Sequence, residues 1–419
     1  MTAFFPVSAG QLHVEAVPLE AIAARFGTPT YVYSKAALVS AYRRLDEAFA
    51  AREHLICYAL KANSGLALLN LFARLGAGFD IVSGGELKRV LRAGGDCAKV
   101  VFSGVGKTAA EMRFSLEAGV LCFNIESESE LRRLDRIAGE AGKRAPISLR
   151  VNPDVEAKTH PYISTGLKSS KFGIAFDTAL QLYRTASAMP NLRVTGIDCH
   201  IGSQITETAP LREALQKMLT LVDLLAAEGI CITQIDVGGG LGIDYFDAAP
   251  APFEEYAKAL LGALVGRKEL LILEPGRALV GNAGLLLTRV EYLKHGEEKN
   301  FAIVDAAMND LLRPALYDAH HAIREVAEGR SPKQRYDVVG PVCESADFLG
   351  RARDLAVSEG DLLAIMSAGA YGAAMSSNYN SRGRAAEVLV DEDKVHLIAE
   401  RESIEAVFAR ERVIDSLKI

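Results

Sequence analysis

Residues 57–63 read C-Y-A-L-K-A-N. The run at 55–60 is short and apolar, with β-branched and aromatic members, which suits a buried strand better than a helix. It stops at Lys61, and after Ala-Asn-Ser-Gly a fresh apolar-periodic run begins. A lysine at the carboxyl end of a buried strand stands where its ammonium loses hydration. Desolvation favours the neutral amine, which can attack a carbonyl and form a Schiff base. The plain alternative is a surface lysine whose stem covers the strand end while its head reaches water.

Outward from this stretch a rhythm repeats. Strand-like runs fall at 54–60, 78–82, 99–103, 120–125, 146–151, 193–200, 232–237 and 270–274, with amphipathic helical stretches between them. Ser127-x-x-Glu130 reads as a capping box, and Asp177-Thr178 stands ahead of another periodic run. Eight strands separated by helices over about 250 residues predict a (β/α)8 barrel. A doubly wound open sheet competes, but no G-x-G-x-x-G follows the first strand. After Gly276 the alternation stops. Runs at 285–293, 300–305, 336–340, 362–365, 386–389 and 396–399, with Gly and Pro between them, predict a mainly antiparallel β domain. The expected domains are therefore a barrel over 28–276 and a β domain over 277–419. Residues 1–27, an extended lead-in followed by a short helix near 19–26, are assigned to pack with the latter.

At 419 residues, two domains are the prior expectation. A formal net charge of −6 favours neither nucleic acid nor an anionic membrane surface. The first ten residues lack the basic-then-apolar order of a secretory signal, and no apolar run has the length of a membrane span. Six scattered cysteines form no C-x-x-C pair and no metal spacing, which suits free thiols in a reducing cytoplasm. His320-His321 cannot face one metal from a helix, so no metal site is expected.

The unusual residues gather at one end of the predicted barrel. Lys61 ends strand one, His200-Ile-Gly-Ser203 ends strand six, Gly238-Gly-Gly-Leu-Gly242 follows strand seven, and Glu274-Pro275-Gly276-Arg277 ends strand eight. Barrel active sites are built on that face, and the loops after strands seven and eight commonly take phosphate. Glycines let backbone N–H groups approach an anion. His200 is placed to lie against a ring, and Glu274 to keep a pyridine nitrogen protonated. Each has a bland alternative: a tight turn, a satisfied histidine, an ion pair with Arg277. Together the four suit pyridoxal 5'-phosphate.

At this point Y-A-L-K-A-N, C-H-I-G-S-Q, V-G-G-G-L-G-I, E-P-G-R, L-L-R-P-A-L-Y, G-P-V-C-E-S, G-A-Y-G and S-N-Y-N-S-R, in order from about residue 26 to 390, resemble the bacterial diaminopimelate decarboxylases. That family belongs to the alanine-racemase-like, fold-type III pyridoxal-phosphate enzymes. The first three motifs are shared with ornithine and arginine decarboxylases. One departure is Arg382-Gly-Arg-Ala, where the family often has prolines.

The resemblance implies that Lys61 carries the cofactor, His200 stacks on its ring and Glu274 pairs with the ring nitrogen. Ser203, Gly239, Gly240, Gly276 and Tyr371 are implied to hold the phosphate, with Pro275 and Arg277 lining the cofactor. Arg277, Arg313 and Tyr317 would grip the carboxylate at the substrate end that does not react, with Tyr371 nearby. Glu344 would take the amino group there, and Cys343 would reprotonate the carbanion. The implied reaction converts meso-2,6-diaminopimelate to L-lysine and CO2, the last step of lysine biosynthesis, in a cytoplasmic homodimer whose sites are shared across the interface. The residues supply their own support, since two arginines and a tyrosine suit an anion that a simple diamine acid lacks. Decarboxylases of ornithine, arginine or a carboxylated polyamine are the alternative, and a racemase or a non-catalytic pyridoxal-phosphate carrier stand further off. Residues 158–172, rich in Gly, Ser and Lys, are a candidate lid.

Overall fold

The structure is a computed structural model that describes residues 3–156, 171–245, 250–328 and 332–414. All but the last two residues of the candidate lid lie outside this set. The chain forms two compact units, one of Leu38–Val280 and the other of Met1–Ala37 with Gly281–Ile419.

The first unit is a closed parallel barrel. Its strands are His54–Ala59, Gly78–Ile81, Val100–Phe102, Cys122–Ile125, Ala145–Asn152, Leu192–Asp198, Gln234–Asp236 and Leu270–Leu273, hereafter strands one to eight. Each pairs with its neighbours in sequence, and strand eight closes the ring on strand one through Leu271↔His54 and Ile272↔Leu55. Every predicted barrel strand is present, and the open-sheet alternative is excluded by that closure.

Helices return the chain between strands, and several of them start at short polar caps. Thr108 and Glu111 form a reciprocal capping box. Ser127 forms only half of one: its hydroxyl accepts from the Glu130 N–H, but the Glu130 carboxylate turns to Lys107 Nζ (2.7 Å) and the Glu126 N–H (2.9 Å). A buried ammonium outcompetes the cap. The helix Phe176–Ala188 begins before Asp177-Thr178, which lie in its first turn rather than ahead of it.

Inside the barrel, Cys57, Val101, Cys122 and Ile272 pack as an apolar cluster from strands one, three, four and eight. Because side chains on one face of a strand recur every second residue, the positions two further on share that face. Those are Ala59, Ser103, Asn124 and Glu274, and all but the first are polar. The apolar layer thus gives way to a charged one toward the carboxyl ends.

The second unit is a mainly antiparallel sheet in the order Phe348–Leu355, Gln334–Val339, Asn300–Val304, Gly284–Lys294, Thr30–Ser34, Ala386–Asp391, Lys394–Ala399, with Leu362–Ile365 branching from Gly284–Lys294 and Ile323–Glu325 pairing with Leu362–Ile365. Thr30–Ser34 lies inside the 28–276 range expected for the barrel, yet it pairs with Gly284–Lys294 (Gly284↔Tyr33) and with Ala386–Asp391 (Ala386↔Thr30). The run T-Y-V-Y-S has the β-branched and aromatic character of a strand; its sheet is chosen by partners far along the chain, near 284 and 386. The lead-in is more ordered than expected, with short strands at Val7–Ser8, Gln11–Val14 and Val17–Pro18 before the helix Leu19–Phe26. Phe5, Leu12, Val14, Leu19 and Ile22 pack with Leu285, Leu287, Val388 and Val390 of the second unit's sheet.

Candidate active site

At the carboxyl end of strand one the backbone tightens into a 3₁₀ turn, Leu60–Ala62, that carries Lys61. The Ala59 N–H donates to Pro275 O (3.1 Å), tying this turn to the loop after strand eight. Desolvation among apolar neighbours is not what the lysine meets. Its Nζ lies 2.8 Å from Oδ2 of Asp80, a fully buried residue of strand two, and about a third of its own side chain stays exposed, at 36%.

Asp80 belongs to a larger group. Asp198 ends strand six, Asp236 ends strand seven and Glu274 follows strand eight, and each offers an oxygen within 4.8 Å of the others. Glu274 Oε1 accepts from Ser103 Oγ (3.4 Å) and Asn124 Nδ2 (3.5 Å), while Asp236 Oδ1 takes the Gly238 N–H (2.9 Å). Burial raises the Glu274 carboxyl well above the usual range; Asp236, Asp80 and Asp198 push further and Lys61 opposes. The Asp236 carboxyl is raised to about 7, again mainly by burial. Such spacing would also suit a hard cation. The raised proton affinities and the nearby Lys61 Nζ fit instead a cluster that shares protons. Asp80, Asp198 and Asp236 escaped the sequence reading, although each is a charged residue at or next to the last position of a buried strand, close to the signal that singled out Lys61 and Glu274.

His200 follows strand six. Its Nδ1 accepts the Gly239 N–H (3.2 Å), so the proton of the neutral ring sits on Nε2. Enclosure by protein, then the charges of Lys61 and Arg150, hold this imidazole well below its ordinary pKa. The Gly239 amide, expected near phosphate, also reaches the histidine. At Gly239 a Cβ would stand 2.1 Å from Glu274 O, and at Gly240 (φ +103°) 2.5 Å from Gly202 O. Only glycine lets the loops after strands six, seven and eight approach this closely. Gly276 is similarly hemmed in by Ala59 and Ala62.

Arg277, placed by sequence at the start of the β domain, belongs to the barrel unit and opens the short helix Arg277–Val280. Its buried guanidinium donates to Ser203 Oγ (2.9 Å) and Tyr245 Oη (2.6 Å). Lys61, His200, Ser203, Gly239, Gly240 and the 274–277 stretch are therefore all on loops at the carboxyl ends of the barrel strands.

The remaining predicted residues lie in the second unit. Arg313 is buried at the head of the helix Arg313–Tyr317, its Nη1 2.8 Å from His321 Nε2. Tyr317, partly buried, ends that helix, and Tyr371 holds φ +55° in the turn after Leu362–Ile365. Cys343 and Glu344 are exposed. Their loop is fixed from below: buried Asp347 accepts the Val342 N–H (2.7 Å) and the Met308 N–H (2.6 Å), and Asn380 Oδ1 accepts the Cys343 N–H (3.1 Å). Asn380, itself at φ +56°, explains the chemistry of S-N-Y-N-S-R: it braces the C-E-S loop.

A lysine at the first strand, a close-approach glycine loop, a neutral imidazole and a proton-holding carboxylate on one barrel face define the pyridoxal-phosphate-binding barrel enzymes. Residues 35–281 match the family described as pyridoxal-dependent decarboxylase, pyridoxal binding domain. A diaminopimelate decarboxylase of Vibrio cholerae is 59% identical over 406 residues, 97% of each chain. The structure of diaminopimelate decarboxylase from Helicobacter pylori complexed with L-lysine superposes with a TM-score of 0.91 at 43% identity, covering 94% of this chain and 98% of that one. The counterpart from M. jannaschii, also with L-lysine, gives 0.94 at 38% identity over 98% of each. The chain belongs to the diaminopimelate decarboxylase family.

Proposed function

We infer that this chain decarboxylates meso-2,6-diaminopimelate to L-lysine and CO2 with pyridoxal 5'-phosphate, the last step of lysine biosynthesis. The observation that carries the substrate is Arg313, a buried arginine on a motif the resemblance assigns to the unreacted end. When bound, the cofactor supplies a ring that accepts the electron pair left as the carboxylate departs. Lys61 would hold it through Nζ, drawn from Asp80, and would later release the product. His200 would stack against the ring, and Glu274 would keep the ring nitrogen protonated. Ser203, Gly239, Gly240, Gly276 and Tyr371 would hold the phosphate, with Gly239 also contributing its close approach and its grip on His200. Pro275 and Arg277 line the cofactor.

Arg277, Arg313 and Tyr317 bind the distal carboxylate, each charge-assisted bond contributing about 1.5–3 kcal/mol, and Glu344 takes the distal ammonium. The Cys343 thiol donates the proton that replaces CO2. Because Cys343 and Glu344 are exposed in the single chain, we place them in the site of a second copy, giving a homodimer with two shared sites. The scattered thiols suit a reducing cytoplasm, and among the described residues no helix is long and apolar enough to cross a membrane.

The test is CO2 release by the purified holoenzyme from meso-diaminopimelate, ornithine and arginine side by side. Strong preference for diaminopimelate is expected. Preference for ornithine or arginine would move the chain to the alternative class.

A further inference from the structure

Arg313 and His321 stand eight residues apart, and local structure brings them together. The helix Arg313–Tyr317 stops at Asp318, which adopts left-handed angles (φ 50°, ψ 32°) and turns the chain back. The returning chain enters the strand Ile323–Glu325, antiparallel to Leu362–Ile365. One step past that ladder the Met366 N–H donates to Ala322 O (2.8 Å), and Met366 O lies 2.8 Å from His321 Nδ1. A carbonyl oxygen only accepts, so Nδ1 carries the hydrogen. A guanidinium only donates, so Nε2 presents its lone pair to Arg313 Nη1 at 2.8 Å. The partners fix one neutral tautomer.

His321 is fully buried, and Arg313 nearly so. Burying a cation against an imidazole is poor value as pure stability, since a well-packed apolar pair of similar volume commonly does as well. What the arrangement does provide is orientation. Arginine recognises a carboxylate through a planar fork, and an acceptor fixed on one arm sets the plane of that fork. The carbonyl that locks His321 starts the segment running from Met366 to Tyr371, itself a proposed site residue.

We propose that His321 is a positioning residue that orients Arg313 for the carboxylate at the unreacted end of the substrate, and so for discrimination between amino acids and simple diamines. This rests on the reading that Arg313 binds that carboxylate. The test uses the holoenzyme with H321N, H321Q and R313M, with calorimetric binding of L-lysine and cadaverine and steady-state kinetics on meso-diaminopimelate. L-lysine keeps the unreacted end intact; cadaverine is the same chain without the carboxylate. Asparagine can still donate to Met366 O but stops short of Arg313, whereas the glutamine oxygen reaches where Nε2 was.

H321N should weaken L-lysine about 10- to 100-fold, the loss typical when the outer partner that orients a metal ligand is removed. It should raise KM with kcat little changed and leave cadaverine unaffected. H321Q should recover most of the loss. Equal weakening of both ligands, unaltered L-lysine binding in H321N, or no recovery in a folded H321Q would each overturn the proposal. R313M separates the two layers: if it spares L-lysine, the Arg313 reading itself fails; if it discriminates while H321N does not, only the role of His321 fails.

Discussion

The top of the barrel and the C-E-S loop are two halves of one proposed chemistry, built in opposite ways. Around Lys61, four carboxylates, three of them (Asp80, Asp198 and Asp236) with almost no exposure, sit inside one unit with partners already in place. Around Cys343 the side chains are exposed, and only the backbone is braced, by Asp347 and Asn380. The barrel half carries its electrostatic environment with it, because burial raises proton affinity without help from outside. The loop half has a fixed shape but no enclosure, and a proton donor for a carbanion needs a water-poor setting. The difference teaches that the barrel end arrives with its partners in place, whereas the proposed role of Cys343 asks for a cover that the loop itself does not supply.

That contrast breaks most sharply on complementation. Lys61→Ala and Cys343→Ala homodimers should each be nearly inactive. After subunit exchange half the dimers are mixed, each with one intact and one doubly defective site, so activity should return to roughly a quarter of wild type. Background activity despite exchange proven by mass spectrometry of tagged subunits would mean that both residues serve one chain, and the loop would need no second copy.

A smaller effect probes the buried half. Glu274→Gln should lower kcat by roughly 10²- to 10³-fold, as for loss of a preorganised electrostatic partner. Cofactor affinity, read by absorbance titration, should change far less, since the interaction gains strength as charge develops. Comparable losses in both would make Glu274 a structural member of the cluster.

The smallest expected effect measures what burying the cluster costs. Asp236 has an ordinary value of 3.8 and is raised to about 7 in the folded chain. Between those values the folded state holds a proton that the unfolded state has released. The stability this group contributes is therefore complete below about pH 4 and lost as pH rises through about 7. Asp236→Asn keeps an oxygen for the Gly238 N–H, so it should raise the unfolding temperature of cofactor-free protein at pH 8 by a few degrees, with the gain vanishing near pH 4. A gain independent of pH, by calorimetry, would trace it to packing instead.

Much of this was legible in the residues. Lys61, His200, Glu274 and the glycine loop stand out because a polar group ending an apolar strand, or three glycines in a row, is a local anomaly with a local cause. The eight strands are legible for the same reason: burial on both faces writes a continuous apolar run. Asp80, Asp198 and Asp236 carried the same mark more faintly, since a single aspartate at a strand end is also ordinary turn chemistry. The half-formed cap at Ser127 was misread because Lys107, the competitor for Glu130, is 23 residues away.

The sequence by itself determined the order and type of the elements, the end of the barrel that carries the chemistry, and the family resemblance, because these depend on side-chain period and short motifs within a few residues. Only the tertiary structure decided that Thr30–Ser34 joins the second sheet, that Gly239 gives its amide to His200, that Arg277 sits with Ser203, and that His321 holds Arg313. Each of those is a choice among partners brought close by the fold. A donor is satisfied by whichever acceptor the packing delivers at hydrogen-bond distance, and backbone topology sets that distance.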